Sequence, residues 1–497
     1  MTLHRFAALG LCCALFATEP NDATKRWWSH VVALGSDAME GRDTGSAGHQ
    51  RAERYVTMQF ERAGLKPAGE SGYLQSVPLH VVRLQTDQST VELVRASGTT
   101  KLQLLRQITV AARAGLPESI EAPLIFAGSD APADPAELRD KIVVQLPHAG
   151  AVRGAAPTRT GAVATISIDS TAGPEPPRWP VAYSVAMTLR DAEPVTRQAA
   201  AAGLNFRFNP AFADLLFEGS GHSYKELMDL QAAGKPLPRF TIPATFKATL
   251  KTTAADLASN NIIATLPGAD PVEYVVVSAH LDGYGFGEPW NGDRIYNGAF
   301  DDAAYVATLI DMAQRLHESG TKLKRSLLFC VVTAEEKGLF GSKYFAAHPT
   351  VPKDQMVANI NLDQLRPIFP LKTLTMLAID ESTLGDTVRQ VAGPMGIRIQ
   401  PDPEPERGLL RRSDHYSFMQ IGVPATGFIF GYEPGSPDEA VYRRWYAERY
   451  HSPADDINQP WVPEAAAKFN DFFNRLVATL ANAPEKPHWK PGSTFAK

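Results

Sequence analysis

The stretch Tyr274 to Asp302, YVVVSAHLDGYGFGEPWNGDRIYNGAFDD, limits most sharply what this chain can fold into. Tyr274 to Ala279 is rich in β-branched residues without polar alternation, the pattern of a strand buried on both faces at the centre of an α/β sheet. His280 and Asp282 follow just past its end, where open α/β sheets place their ligands. After Asp302, the residues Val306, Leu309, Ile310, Ala313 and Leu316 recur at helical spacing. Asp301 and Asp302 therefore fall at or just before a helix N-terminus, whose unpaired N–H groups favour carboxylates. The same grammar recurs twice: Ser326 to Thr333 leads into Glu335 and Glu336, and Met356 to Leu362 leads into Asp363. As neighbours in one sheet, these three strands would point their polar residues at one rim.

The start of the chain reads as an export signal over residues 1–17, with a basic flank to Arg5 and an apolar run from Phe6 to Ala17 too short to span a bilayer. Its removal predicts a secreted or periplasmic protein. Leu11 before Cys12 and Cys13 disfavours a lipoprotein, and Cys330 alone remains to the mature chain, read as a small buried hydrophobe. A length of 497 residues points to two domains. The net charge of −5 is mild, and no basic run suggests nucleic acid. No later apolar stretch is long enough to cross a membrane.

Lys25 to Leu65 reads as two helices, with Gly64 ending the second. Between them lies Glu40 to Gly48, EGRDTGSAG, which reads foremost as a glycine-rich connection between helices and, as the alternative, as a functional loop. From about Ser119 to Ala255 the texture changes to short β-branched runs, including Leu124 to Ala127, Lys141 to Leu146, Ala162 to Ile168 and Phe240 to Leu250. This predicts a β-rich module inserted between two parts of an α/β domain, 18–118 and 256–497. Late in the chain come Arg412-Ser-Asp414-His415 and the polar turn Tyr450 to Asp455. Asp414 and His415 are either further site residues or members of a loop network. A closing helix, Ala465 to Leu480, carries Phe469, Phe472, Phe473 and Leu476 on its apolar side.

Two histidines and several carboxylates without cysteine suit zinc or a similar divalent ion. His280, Asp301 and Asp363 would hold one ion, and Asp301, Glu336 and His451 a second, so that Asp301 bridges and open positions remain for a water. Glu335, beside a ligand but not needed as one, is the candidate general base. Asp282 is the candidate acceptor that fixes the His280 tautomer.

The ordered set His280-Leu-Asp282, Tyr296-Asn-Gly-Ala-Phe-Asp301-Asp302, Ala334-Glu335-Glu336-Lys-Gly-Leu-Phe-Gly-Ser342, Asn361-Leu-Asp363, Arg412-Ser-Asp-His415 and Tyr450-His451-Ser-Pro resembles the co-catalytic zinc metallopeptidase family. That family includes secreted leucyl-type aminopeptidases, glutamate carboxypeptidase, glutaminyl cyclase and the transferrin receptor. The resemblance implies a mixed central sheet sandwiched by helices, of zinc-peptidase (phosphorylase/hydrolase-like) type, with a protease-associated domain inserted at 119–255. Leu138 to Leu146, LRDKIVVQL, is similar to that domain's signature. It further implies two zinc ions bridged by Asp301, Glu335 as base, Tyr450 as oxyanion donor, a cis peptide at Asp301-Asp302, and a peptide as substrate. The expected activity is an exopeptidase, foremost an aminopeptidase. A glutamate carboxypeptidase-like or glutaminyl cyclase-like enzyme and a non-catalytic receptor are the alternatives. Arg366, Arg411 and Arg412 bear on that choice, since an arginine holds a substrate carboxylate. Ala304 and Tyr305 stand where relatives carry Ser-Gly, and Gln364 where methionine is common, so that Tyr305 is placed to narrow a pocket or shift specificity.

Overall fold

A computed structural model of the chain describes residues 21–128, 135–147, 161–172, 177–190, 203–363 and 365–496. The expected export signal and Gln364 lie outside the described residues.

One sheet is built from β1 (Leu74–Leu84), β2 (Val185–Leu189), β3 (Thr252–Leu266), β4 (Asp270–His280), β5 (Arg325–Val332), β6 (Met356–Asn361), β7 (Thr373–Met376), β8 (Arg398–Gln400) and β9 (Ala425–Gly431), with the short Lys66–Pro67 strand added beside β3. Their order is β8-β7-β9-β6-β4-β5-β3-β1-β2. The middle four, β9, β6, β4 and β5, run parallel, and β3, β1, β2 and β7 join antiparallel. The register pairs His280 with Val332 and Ser278 with Asn361, so β4, β5 and β6 end level with one another.

The lack of alternation in these strands has a direct cause: both faces are covered. Val275, Val277, Ala279, Leu327, Phe329 and Val331 face one apolar core, together with α1 (Asp22–Gly35), α2 (Ala47–Arg62), α3 (Ala304–Ser319) and the C-terminal helix α5 (Pro463–Asn482). Val276, Leu328, Cys330 and Val332 face a second core with Phe345 of α4 (Phe340–Ala347) and Phe418. Cys330 is free and wholly buried, as its apolar setting predicts. Local sequence sets the helix ends. The side chains of Asn21 and Ser46 cap α1 and α2, and Gly64 (φ +73°) turns the chain out of α2. In α5, Phe469, Phe472, Phe473, Leu476 and Leu480 are all buried on the expected side.

A second sheet of eight strands has its own core around Phe206, Phe208, Phe217 and Phe246. Five of its strands, Ser119–Phe126, Ile142–Gln145, Ala164–Ile168, Leu204–Phe208 and Phe240–Thr249, fall in the 119–255 segment, while Thr90–Arg95, Gly98–Leu102 and Ile108–Val110 precede it. The two sheets are not cleanly separate in sequence. Between Ile168 and Leu204 the chain returns to pair β2 with β1, which carries Tyr183 of the same excursion toward the first sheet's polar rim.

Candidate metal centre

The level ends of β4, β5 and β6 bring His280, Glu335 with Glu336, and Asp363 together, as their positions after three apolar runs predict. Asp301 comes from the turn before α3 and His451 from the loop before α5. His280 Nε2 lies 3.3 Å from Asp301 Oδ1 and 3.9 Å from both Asp363 Oδ1 and Glu335 Oε2. His451 Nε2 lies 3.2 Å from Asp301 Oδ2 and 3.3 Å from Glu336 Oε2. Each oxygen of one carboxylate thus faces its own histidine. The donor atoms of His280, Asp301 and Asp363 form one compact set and those of Asp301, Glu336 and His451 another, each within 4.8 Å.

This donor set fits divalent ions. His280 Nε2, Asp301 Oδ2 and Glu336 Oε1 are buried and make no hydrogen bond among the described residues. Buried polar atoms are ordinarily satisfied, so inward-facing nitrogen and oxygen atoms of this kind suit a bound cation. Burial drives the carboxyls of Glu335, Glu336 and Asp363 above their ordinary range, and like charges nearby push the same way. Asp301 goes the other way: burial would raise it, but the Arg366 guanidinium and the His280 and His451 rings outweigh burial and hold it well below the usual carboxylate range. Asp301 is the carboxylate that the two donor sets share.

Supporting contacts account for the aim of each side chain. The Asp282 main-chain oxygen lies 3.0 Å from His280 Nδ1, whereas the Asp282 carboxylate is 3.8 Å away. The tautomer is therefore fixed by the backbone of Asp282 rather than by its side chain. The carboxylate is occupied instead by the N–H of Glu335 (2.9 Å) and the Thr44 hydroxyl (3.0 Å), which sets the Glu335 loop against the His280 loop. Asp302 accepts from the His280 N–H (3.1 Å). The Asp301–Asp302 peptide is cis, as the resemblance implied. The Tyr450 ring stacks on His451 with centroids 3.6 Å apart.

Sequence reasoning passed over four contributors. The Tyr284 hydroxyl sits 2.9 Å from His451 Nδ1. Asp455 accepts from the N–H groups of Phe300 (2.9 Å) and Asp301 (3.1 Å), which fixes the turn carrying Asp301. Arg42, wholly buried, donates to the carbonyls of Leu34, Leu281, Asn297 and Gly298 and so ties the Glu40 to Gly48 loop to the turns after His280 and before Asp301. Lys337 donates to Gly283 O (3.0 Å), lies 3.2 Å from Asp43 Oδ1, and sits over the rings of Tyr183 and Tyr284. A charged residue inside a glycine-rich loop was the available signal for Arg42, and the polar turn Tyr450 to Asp455 that for Asp455; no local pattern gave Tyr284 or Lys337 its partner. Tyr305 does not narrow a pocket. It is 2% exposed and packs edge-on against Phe469 in the core. Asp414 and His415 are wholly buried near the site, and burial lifts Asp414 to about 7 and lowers His415 to about 4.

Residues 261–477 match the model of peptidase family M28, a range that takes in every member of the two donor sets. This stretch is an M28 peptidase domain. Leupeptin-inactivating enzyme 1 of Streptomyces exfoliatus is 26% identical over 262 residues, which is 51% of this chain and 55% of that protein. The chain spans about half or less of the length of the curated relatives it matches. Among solved structures, an aminopeptidase from Aneurinibacillus sp. strain AM-1 superposes with a TM-score of 0.60 at 21% identity, covering 93% of this chain and 95% of that one. A zinc aminopeptidase from Bacillus subtilis superposes with a TM-score of 0.58 at 18% identity, covering 97% and 100%. These likenesses establish the fold of the M28 domain together with most of the remaining chain.

Proposed function

We propose that the chain is an exported zinc-dependent aminopeptidase that removes N-terminal residues from peptides. The observation that carries this reading is the single carboxylate of Asp301, with Oδ1 turned to His280 and Oδ2 to His451. His280, Asp301 and Asp363 would hold one zinc ion, and Asp301, Glu336 and His451 the other. When bound there, such ions supply a water of lowered pKa and Lewis acidity toward the scissile carbonyl.

The chain's own groups do the rest. Glu335 takes a proton from water and delivers it to the leaving amine, and burial, by raising its pKa, makes it a better base than an ordinary glutamate. Tyr450, held by stacking on His451, donates to the oxyanion. The excess of carboxylates suits a substrate ammonium. A carboxypeptidase needs an arginine free to hold a carboxylate, and Arg366, the arginine that reaches Asp301, is wholly buried and turned toward it. This takes Arg366 out of that role, while Arg411 is exposed and Arg412 half-buried. The β-rich module is proposed to be a protease-associated domain.

The test is metal content of the purified mature protein, with hydrolysis of free and N-blocked aminoacyl-arylamides before and after chelation. Two zinc ions with chelator-sensitive cleavage of free-amine substrates alone is the expected result. Bound zinc without that cleavage would move the reading to a carboxypeptidase or another amide substrate.

A further inference from the structure

Arg366 lies wholly buried behind the bridging carboxylate. Its Nη1 donates to the main-chain oxygens of Asp363 (2.5 Å) and Leu365 (2.8 Å), and its guanidinium carbon sits 4.6 Å over the Trp445 ring. Nη2 stands 3.5 Å from Asp301 Oδ2. Nε and Nη2 make no hydrogen bond among the described residues. A guanidinium cannot shed its charge, so its burial has to be matched by an anion, and Asp301 is the carboxylate it reaches.

The geometry has an asymmetry. Oδ2 of Asp301 faces both the Arg366 Nη2 and His451 Nε2, whereas Oδ1 faces His280 Nε2. An oxygen whose lone-pair density is already drawn toward a guanidinium is a poorer ligand, and in a buried site a fixed positive charge repels a nearby dication with little screening.

We propose that Arg366 is a positioning residue that serves as a resident cation on the bridging carboxylate. It fixes Asp301 before any ion arrives, and it makes the ion position at Oδ2, with Glu336 and His451, weaker than the one at Oδ1, with His280 and Asp363. This inference rests on the two-ion reading above.

The experiment is calorimetric titration of the metal-stripped full chain with zinc, for the wild type, Arg366→Met and Arg366→Lys, with circular dichroism as the check of folding. The wild type is expected to show two steps, the second weaker by about tenfold or more. Arg366→Met keeps the first step and tightens the second by about the same factor, whereas Arg366→Lys retains the wild-type gap. A role in packing alone would move the second step of Arg366→Met the other way, toward weaker binding. Two equal steps in the wild type overturn the inference with no variant required, and so does a second step unchanged or weakened in folded Arg366→Met. Failure of the wild type to take up any zinc overturns the two-ion reading itself, which keeps the two failures apart.

Discussion

Tyr284→Phe isolates one atom of the site. The hydroxyl lies 2.9 Å from His451 Nδ1, and the ring packs against His451 and Tyr183 with centroids 4.5 and 5.6 Å away, so the substitution removes the hydrogen bond and leaves the packing in place. Loss of the outer partner of a metal-binding histidine typically costs about 10–100-fold in metal affinity, or about 1.4–2.8 kcal/mol. The cost to the metal-free fold is that of an ordinary hydrogen bond, about 0.5–1.5 kcal/mol. The effect should be confined to one ion, because His280 Nδ1 is oriented by the main-chain oxygen of Asp282 and not by Tyr284. Competition with a chromogenic chelator reads both equivalents in one titration. One equivalent should keep its wild-type affinity while the other is released about 10–100-fold more readily. Equal weakening of both, or no change in either, would refute the assignment of Tyr284 to His451.

Three further substitutions test other parts of the account. Glu335→Gln should retain both metal equivalents and lose about 10²–10⁴-fold in kcat, and near-wild-type turnover in a folded protein would defeat the assignment of the base. Lys337→Met removes the ammonium bonded to Gly283 O and paired with Asp43, and chemical unfolding should show a loss of about 1–3 kcal/mol. His415→Phe tests a linkage. Burial lowers the imidazole from 6.5 to about 4, so the neutral buried ring contributes stability above pH 6.5 that is lost as pH falls toward 4. Urea unfolding of the wild type should therefore lose about 2 kcal/mol between pH 7.5 and 5.0 that the variant does not lose, and identical pH dependence in the two proteins would contradict it.

The donor residues were legible because each strand advertises its own end. A run buried on both faces is dominated by apolar residues, so His280, Glu335 with Glu336, and Asp363 stand out as the first acidic or imidazole side chains after it, and parallel pairing in register delivers them to one rim. The supporting residues were not legible for the complementary reason. Tyr284 meets His451 across 167 positions and Arg42 meets Leu281 across 239, and no local period encodes such partners. Tyr305 shows the same limit from the other side: its place after Asp302 suggested a pocket wall, but α3 turns it toward Phe469 and the core. The β-rich texture after Ser119 was readable as strands. The return of Val185–Leu189 to the first sheet was not, since one short strand pairs with either sheet on propensity alone.

The most direct test of the central claim is anomalous diffraction at the zinc edge from crystals of the zinc-loaded protein. The account predicts two peaks on either side of Asp301, one contacted by His280 and Asp363 and the other by Glu336 and His451. A single peak, or peaks away from Asp301, would contradict it.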